Sequence, residues 1–567
     1  MIFFLEQIWN SHHSLLQYLL IILAAYFLFF WLQSAPVLSD PDSFYHAKIG
    51  QILANGKILH EFPWLNFTTL KDNFVDHHFL YHIFLIPFVS LFPDPLAGLK
   101  FSVVVIGTMV FTVIFWFFKS NKVPFSFILT LILLAAGPYL FRANLAKAPI
   151  LSLAVLIVGL QLMLHKKYIP LFFLSFFYVW LYGGWLLLAG TAIIHSVTNA
   201  LTGLINKSAK SEILQPRADP PRAENPKSET NSKFKFSKFK TVWDFRLWLF
   251  DIVSNFVLRI SSLFIGAKFL WVVFAGLLAG LIINPYFPDN IAFTWQQAVK
   301  IGLINYQSII GVGGEWYPYK IFDLIGGLNL VFIILVGSLA IFLATLPKQT
   351  SKSLTLFALT VIFFILTLKS KRNIEYFTPF AILFSGFALR DGLQISRLAL
   401  RDLMPESIIQ KLAYGLIIGY IAIMAVPSAV KEITNTKRDL SGGTPFAQFK
   451  GIGDWLKTNT PRGSIVLHSD WDESPVLFYQ NDWNYYIVGL DPTFMYEYNK
   501  DLYWKWVNIT TGKGVDDMTD VIRNDLRVQY VLTTSDHQDM DKLFKDNEDF
   551  EKAYEDSEGK IYKIKKL

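Results

Sequence analysis

The reading of the chain turns on Leu15-Leu-Gln-Tyr-Leu-Leu-Ile-Ile-Leu-Ala-Ala-Tyr-Phe-Leu-Phe-Phe-Trp-Leu32 and on the segment that follows it, Ser39-Asp-Pro-Asp-Ser-Phe-Tyr-His46. The first run carries no charge and is close to the roughly 20 apolar residues that a helix needs to cross a bilayer core of about 30 Å. It is too long, and too weakly basic in front, for a cleaved signal peptide, so it reads as a first membrane span. The second segment sets two carboxylates, Asp40 and Asp42, just past the end of that span. Two residues apart on an extended or turn backbone, they point the same way. Such a pair can hold a divalent cation, or one member can act as a general base. The plain alternative is a solvated turn that caps a helix.

Composition extends the membrane reading to most of the chain. Of 567 residues, 53 % are hydrophobic and only 17 % charged, with 52 Phe and 16 Trp. A soluble protein averages about 25 % charged residues. Intrinsic disorder, a secreted disulfide scaffold and an ordinary cytosolic enzyme are excluded. With no cysteine, disulfides, zinc–thiolate clusters and thiol nucleophiles are excluded too. Apolar runs recur at 97–118, 123–141, 148–164, 267–283, 321–346, 353–368, 374–389 and 412–430, and 168–205 is long enough for two helices that turn near Gly183-Gly184. Together they predict about eleven transmembrane helices. The apolar segment 78–92 is shorter and contains His82 and Pro87, which suits an interfacial or re-entrant helix. Leaving it out of the count puts Lys119, Lys122, Lys166, Lys167, Lys348, Lys352, Arg397 and Arg401 on the cytoplasmic side, as the positive-inside tendency asks.

The expected organisation is an N-terminal transmembrane half (1–205) with a large first outer loop (34–96), a basic linker (206–242), a second transmembrane half (243–432) with an outer loop at 284–320, and a soluble α/β domain at 440–567. The stretch 206–240 holds nine Lys/Arg against four Asp/Glu and reads as a disordered cytoplasmic segment. Alternating aromatic and polar residues at 243–265 suit the membrane interface. Strand-length runs at 464–468, 485–490 and 528–532 mark the soluble domain, which is acidic and lies outside by the span count. The net charge of +7 therefore belongs to the membrane half and is not a nucleic-acid signal.

Chemistry-bearing residues gather at the outer ends of the spans. The first outer loop adds Tyr45, His46, Asp76, His77 and His78 to the two aspartates. Arg142-Ala-Asn-Leu-Ala-Lys147 breaks the positive-inside pattern; it is either snorkelling to headgroups or binding an anion. Gly311-Val-Gly-Gly-Glu-Trp-Tyr-Pro318 sets Glu315 and Trp316 beside glycines that permit close backbone approach. Lys369-Ser-Lys-Arg372 is a basic cluster with almost no loop around it, which favours a phosphate site. Acids, cations and aromatics on one face suit group transfer from a lipid-linked phosphate donor whose tail stays in the bilayer.

These residues, taken in order, resemble the GT-C superfamily of membrane glycosyltransferases, most closely the catalytic subunit of oligosaccharyltransferases. Asp40-Pro-Asp42-Ser-Phe-Tyr45-His46 resembles the family's first acidic motif. Phe141-Arg142 falls at its second motif, Gly314-Glu315-Trp-Tyr-Pro resembles its short glutamate motif, and Arg372 resembles its donor-phosphate arginine. His468-Ser-Asp-Trp471-Asp472-Glu473 is similar to its acceptor-reading Trp-Trp-Asp-Tyr-Gly segment. The resemblance implies a polytopic α-helical membrane protein with a GT-C-like fold and a C-terminal soluble α/β domain. It implies a multi-pass enzyme with a cytoplasmic N-terminus and linker that transfers a sugar or oligosaccharide from a polyprenyl-phosphate donor to a protein, glycan or lipid acceptor on the outer face. Asp42, Asp40 and Glu315 would be catalytic. Arg372, Lys371, Arg142 and Lys147 would bind the donor phosphate. Tyr45, His46, Asp76, His77, His78, Trp316, Trp471 and Asp472 would contact substrate. A divalent cation, Mg or Mn, would sit at Asp42 and Glu315. The second motif departs from the family because no acid lies between Arg142 and Lys147, which leaves two alternatives: Asp76 supplies the missing ligand, or transfer proceeds without metal. Readings from other classes are a transporter or flippase with an outer binding domain, and a GT-C scaffold that assists a partner enzyme.

Overall fold

The computed structural model describes residues 2–213, 267–304, 306–400 and 408–565. The chain is an integral membrane protein, mostly helical, with a sheet domain at its C-terminal end. The first helices are α1 (Ile2–Leu32), α2 (Asp42–Ala54), α3 (Phe79–Leu91), α4 (Pro95–Ser120), α5 (Ser126–Leu134), α6 (Gly137–Ala143), α7 (Ala148–Leu164), α8 (Tyr168–Leu181) and α9 (Leu186–Ile213). Among the described residues, Ser14–Leu32, Pro95–Ser120, Gly183–Gly203 and Ser351–Lys369 are long and apolar enough to cross a membrane. Two further spans are bent pairs: α5 with α6, at 76°, and Ile321–Gly327 with Asn329–Ala344, at 97°.

Both bends fall inside runs expected to be single helices, and both have a local cause. Pro138 lacks an N–H and clashes with the preceding turn, so it is tolerated only at the start of a helix; it sits there in α6. Gly326-Gly327 ends the other segment, where two glycines weaken the helix. The turn expected near Gly183-Gly184 is present as a short 3₁₀ turn, Gly183–Trp185, between α8 and α9. The segment expected at the interface is α3. It is 13 residues long and buries Tyr81, His82, Leu85 and Val89 against neighbours that include α2, α4 and α8. Helix Lys268–Ile282 approaches α8 closely: a Cβ on Gly276 or Gly280 would come within 2.5 Å of the Phe172 or Phe176 carbonyl oxygen. Small residues four apart permit such contact between membrane helices. The start of the expected linker is helical, as the end of α9. The rest of it, and the expected interfacial stretch 243–265, lie outside the described residues.

Among the described residues there are seven strands: β1 (Val37–Leu38), β2 (Thr444–Pro445), β3 (Ile465–Leu467), β4 (Tyr485–Tyr486), β5 (Val528–Thr534), β6 (Phe550–Glu555) and β7 (Gly559–Ile564). The C-terminal part carries a five-stranded mixed sheet in the order β4-β3-β5-β7-β6, parallel from β4 to β5 and antiparallel through β7 and β6. The segment between α2 and α3 joins this sheet to the helical part. Leu65 bridges Tyr486 in β4, Asn66 N–H donates to the Tyr486 carbonyl at 2.9 Å, and Trp64 Nε1 donates to the Asp482 carbonyl at 2.8 Å.

The acidic turn is fixed by a second junction. β1, just before Ser39, pairs antiparallel with β2, just after the last long helix (Ile408–Ser441). Lys100 Nζ donates to the Val37 carbonyl at 2.5 Å and Ser39 Oγ to the Leu440 carbonyl at 2.9 Å. Gly443 is required there, because a Cβ on it would lie 2.4 Å from the Leu38 carbonyl oxygen. Gly443→Val must push β1 from β2, an overpacking change that costs about 1–3 kcal/mol. A lowered thermal unfolding midpoint of the detergent-solubilised protein is expected; an unchanged midpoint contradicts this role for the junction.

Candidate functional site

The acidic turn is built by its own sequence. Asp40 Oδ1 accepts the Asp42 N–H at 2.9 Å, which turns the chain into α2 with Asp42 as its first residue. A carboxylate there is favoured by the helix dipole. The buried face of α2, including Phe44, Tyr45, Ala47 and Ile49, holds the turn down. Opposite it lies the connection between α6 and α7. Gln33 Nε2, one residue past α1, donates to the Asn144 carbonyl at 2.8 Å and to its side-chain oxygen at 3.0 Å. Lys147 then precedes α7 in extended conformation. Its ammonium lies 2.7 Å from Asp40 Oδ2 and 3.0 Å from Asp42 Oδ2.

Glu315 sits in a 3₁₀ turn, Gly314–Trp316, held by two bonds from the basic cluster. Ser370 Oγ donates to the Glu315 carbonyl at 2.8 Å, and Lys371 N–H to the Tyr317 carbonyl at 3.0 Å. The Glu315 carboxylate then faces three cations: Arg142 at 2.5 Å, Arg372 at 3.4 Å and Lys147 at 4.0 Å. Arg142 also donates through Nε to Glu375 at 2.6 Å. Arg372 lies over the Trp316 ring, 4.9 Å from its centroid, and reaches the Tyr182 hydroxyl at 3.3 Å.

Charge separates the two central acids. Burial pushes Glu315 up, but Lys147, Arg142 and Arg372 outweigh it and hold the carboxyl well below its usual range. Burial pushes Asp42 up to about 6; Lys147 opposes this, while Asp40 and Glu315 add to it. Burial disfavours the Lys147 ammonium, yet Asp40, Asp42 and Glu315 together raise it above the ordinary lysine value. Glu315 is thus a fixed anion, Lys147 a fixed cation, and Asp42 a carboxyl able to exchange a proton near neutrality.

Three cavities meet at Glu315. An inner one of about 120 Å³ is lined by Asp42, Tyr45, His46, His77, His78, Lys147 and Arg372. An outer cleft of about 640 Å³ runs to the soluble domain past Trp471, Asp472, Asp491 and Trp506. A lateral one of about 470 Å³ is lined by Arg142, Lys371, Glu432 and Arg438. Asp42, Lys147, Glu315 and Trp316 line both the inner cavity and the outer cleft.

Most of the expected residues therefore converge, and four expectations change. Asp76 does not face the cavities: it is 4 % exposed, with Oδ2 at 2.7 Å from His82 Nδ1 and Oδ1 accepting the His78 N–H at 3.0 Å. It supplies no ligand beside Asp42. Arg142 divides its charge between Glu315 and Glu375, which leaves little for a phosphate. Lys371 faces the lateral cavity, because successive residues of the 3₁₀ turn Lys371–Asn373 splay apart and only Arg372 reaches the inner one. Asp42 and Glu315 do not fit a divalent cation: the Lys147 ammonium already lies among the oxygens that would bind it. Sequence reading overlooked Glu375, Tyr182, Asp491 and the role of His82. Glu375 carried a signal, being an acid in the first turn of an apolar helix, where ionisable residues are costly and mark function.

This arrangement, with acids and cations at helix ends beside the C-terminal sheet, has a fold similar to that of solved GT-C membrane glycosyltransferases. Among solved structures, the chain is similar to the archaeal oligosaccharyltransferase AglB from Archaeoglobus fulgidus, in complex with an inhibitory peptide and a dolichol-phosphate. That match has a TM-score of 0.62 and 14 % identity, over 91 % of this chain and 69 % of that one. It is also similar to ArnT from Cupriavidus metallidurans bound to undecaprenyl phosphate, with a TM-score of 0.51 and 12 % identity over 96 % and 97 % of the two chains. The arabinofuranosyltransferase AftD from Mycobacteria matches at a TM-score of 0.53 and 10 % identity, over 97 % of this chain and 40 % of that one. No family model and no curated protein matches the sequence.

Removing Glu315 leaves three cations without their shared partner. Its side chain is 20 % exposed, and breaking a buried pair costs about 3–5 kcal/mol. Glu315→Ala is expected to lower the unfolding midpoint far more than the surface change Glu551→Ala; equal midpoints contradict the clamp.

Proposed function

We propose that the chain is a glycosyltransferase that moves a sugar or oligosaccharide from a polyprenyl-phosphate-linked donor to an acceptor on the extracytoplasmic face. One observation carries this reading: Asp42, a carboxylate with a raised pKa, stands where the inner cavity that holds Arg372 meets the outer cleft beneath the soluble domain. The donor phosphate lies beside Arg372, whose one carboxylate ion pair among the described residues is longer than those of Arg142. The acceptor enters by the outer cleft.

In the reaction, an acceptor hydroxyl or amide gives its proton to Asp42 as the acceptor atom attacks the anomeric carbon. The bond from that carbon to the phosphate oxygen breaks, and polyprenyl phosphate departs with the electron pair. Arg372 stabilises the charge that develops on it. Lys147 keeps Asp42 and Asp40 in place and takes the position of a divalent cation, so transfer needs no Mg or Mn at this point. Trp471 and Asp472 face the acceptor. The neighbouring Glu473 is committed to structure: its carboxylate accepts Ser469 N–H at 3.0 Å, Asp470 N–H at 3.1 Å and the Thr534 hydroxyl at 2.8 Å. The acceptor is a protein, a glycan or a lipid; nucleic acid has no place in the scheme.

Purified protein incubated with a labelled polyprenyl-phosphate sugar and candidate acceptors is expected to release polyprenyl phosphate. Asp42→Asn should lose at least about 10²-fold in turnover, and Arg372→Ala a similar factor, with expression intact. Wild-type turnover by Asp42→Asn sinks the assignment, and no release by the wild-type chain favours a transporter or an inactive scaffold. Because Asp42 acts as its carboxylate, turnover should rise with pH through about 6 and then level off. Added Mg or Mn should not raise it. A pH profile flat across this window, or strong stimulation by either ion, contradicts the roles given to Asp42 and Lys147.

A further inference from the structure

Behind the inner cavity, His46 of α2 meets the start of α3. His78-Phe-Leu-Tyr-His82 opens that helix, and the His82 N–H donates to the His78 carbonyl at 2.9 Å. The two imidazoles are therefore one turn apart on the same face, the spacing by which a helix offers two histidines to one zinc ion. α2 packs on α3 and brings in the third ring. One nitrogen from each of His46, His78 and His82 lies within 4.8 Å of the others.

Hydrogen bonding leaves these nitrogens suited to a metal. Asp76, an acceptor, takes the Nδ1 proton of His82 at 2.7 Å, which leaves Nε2 of that ring as a lone pair. His46 Nδ1–H donates to this lone pair at 2.7 Å, a bond that a bound metal ion replaces by displacing the shared proton. His78 Nε2 is buried with no hydrogen-bond partner. A carboxylate behind a histidine that turns its other nitrogen to a common centre is the usual outer support of a histidine-bound metal. Zn–N bonds of about 2.0–2.1 Å put tetrahedral ligand atoms about 3.3 Å apart. The three nitrogens, within 4.8 Å of one another, close toward that spacing when a metal ion binds.

We propose that His46, His78 and His82, supported by Asp76, form a binding site for a borderline transition-metal ion of the zinc class. The all-imidazole donor set selects against Mg and Ca, which take oxygen ligands. The site is separate from the carboxylates at Lys147, and its occupancy does not depend on the transfer reaction. His46 and His78 also line the inner cavity, so a fourth coordination position opens toward it.

The test is metal analysis of the full-length, untagged protein in detergent. Zinc close to one per chain is expected after purification without chelator, and the stripped protein should take up Co²⁺ with the visible absorption of a tetrahedral site. His46→Ala and His82→Ala should each lose the metal while eluting as folded monodisperse protein. Asp42→Asn should keep it, and Asp76→Asn should bind about 10–100-fold more weakly. Wild-type protein that holds no zinc and gives no tetrahedral Co²⁺ spectrum overturns the proposal and leaves an Asp76–His82–His46 hydrogen-bond chain in its place. Full metal content in a folded His46→Ala or His82→Ala variant overturns it equally. Should the histidine variants fail to fold, the Co²⁺ spectrum of the wild-type chain decides alone.

Discussion

The Glu315 carboxylate, set among Lys147, Arg142 and Arg372, is the contact on which the site depends. The four residues come from separate parts of the chain: Glu315 from the loop before Ile321, Arg142 from the end of α6, Lys147 from the connection to α7, and Arg372 from the short turn before Ile374–Leu400. Taking any of these charges out of water is expensive, and mutual pairing is what offsets the cost. Four carboxylates, Asp40, Asp42, Glu315 and Glu375, stand against three cations, so the cluster is close to neutral without any bound ion. A phosphate that enters must draw on a cation already engaged. Arg372 is the least committed, held by a 3.4 Å contact, a tyrosine hydroxyl and the face of Trp316.

That network also explains how a family-like site stands with one motif altered. Where the resemblance leads one to expect an acid after the third span, this chain has Arg142 and Lys147. Lys147 fills the space between the acidic turn and the glutamate loop with a positive charge of its own, and Arg142 joins the glutamate loop to Glu375. Electrostatic balance is thereby kept by side chains. The cavities divide accordingly, with Asp42, Lys147, Glu315 and Trp316 forming the wall between inner and outer spaces.

Much of this was legible in the sequence because it rests on strong local signals. Uncharged runs of near-membrane length, and charges confined to their ends, marked the membrane class, and Asp-Pro-Asp, Gly-Gly-Glu and Lys-Ser-Lys-Arg marked the site. What was not legible depends on orientation and on distant partners. Asp76 shares a loop with the other acids, and only the fold shows its carboxylate turned to His82. Glu375 reads as an ordinary helix-end residue until Arg142 is beside it. The bends at Gly137-Pro138 and Gly326-Gly327 were not read from the sequence, because the apolar runs continue on both sides of them. β6 and β7 escaped notice because Phe550–Glu555 and Gly559–Ile564 are rich in lysine and glutamate, which strands ordinarily disfavour; they form an outer hairpin of the sheet.

In the proposed reaction Arg372 receives a lipid-linked phosphate while Asp42 faces the acceptor across one wall. Its most direct test is a cryo-EM structure of the protein with polyprenyl phosphate. Phosphate density is expected within hydrogen-bonding distance of Arg372 in the inner cavity, with Asp42 on the side open to the outer cleft. Phosphate bound elsewhere, with Arg372 still turned to Glu315 and Trp316, would contradict it.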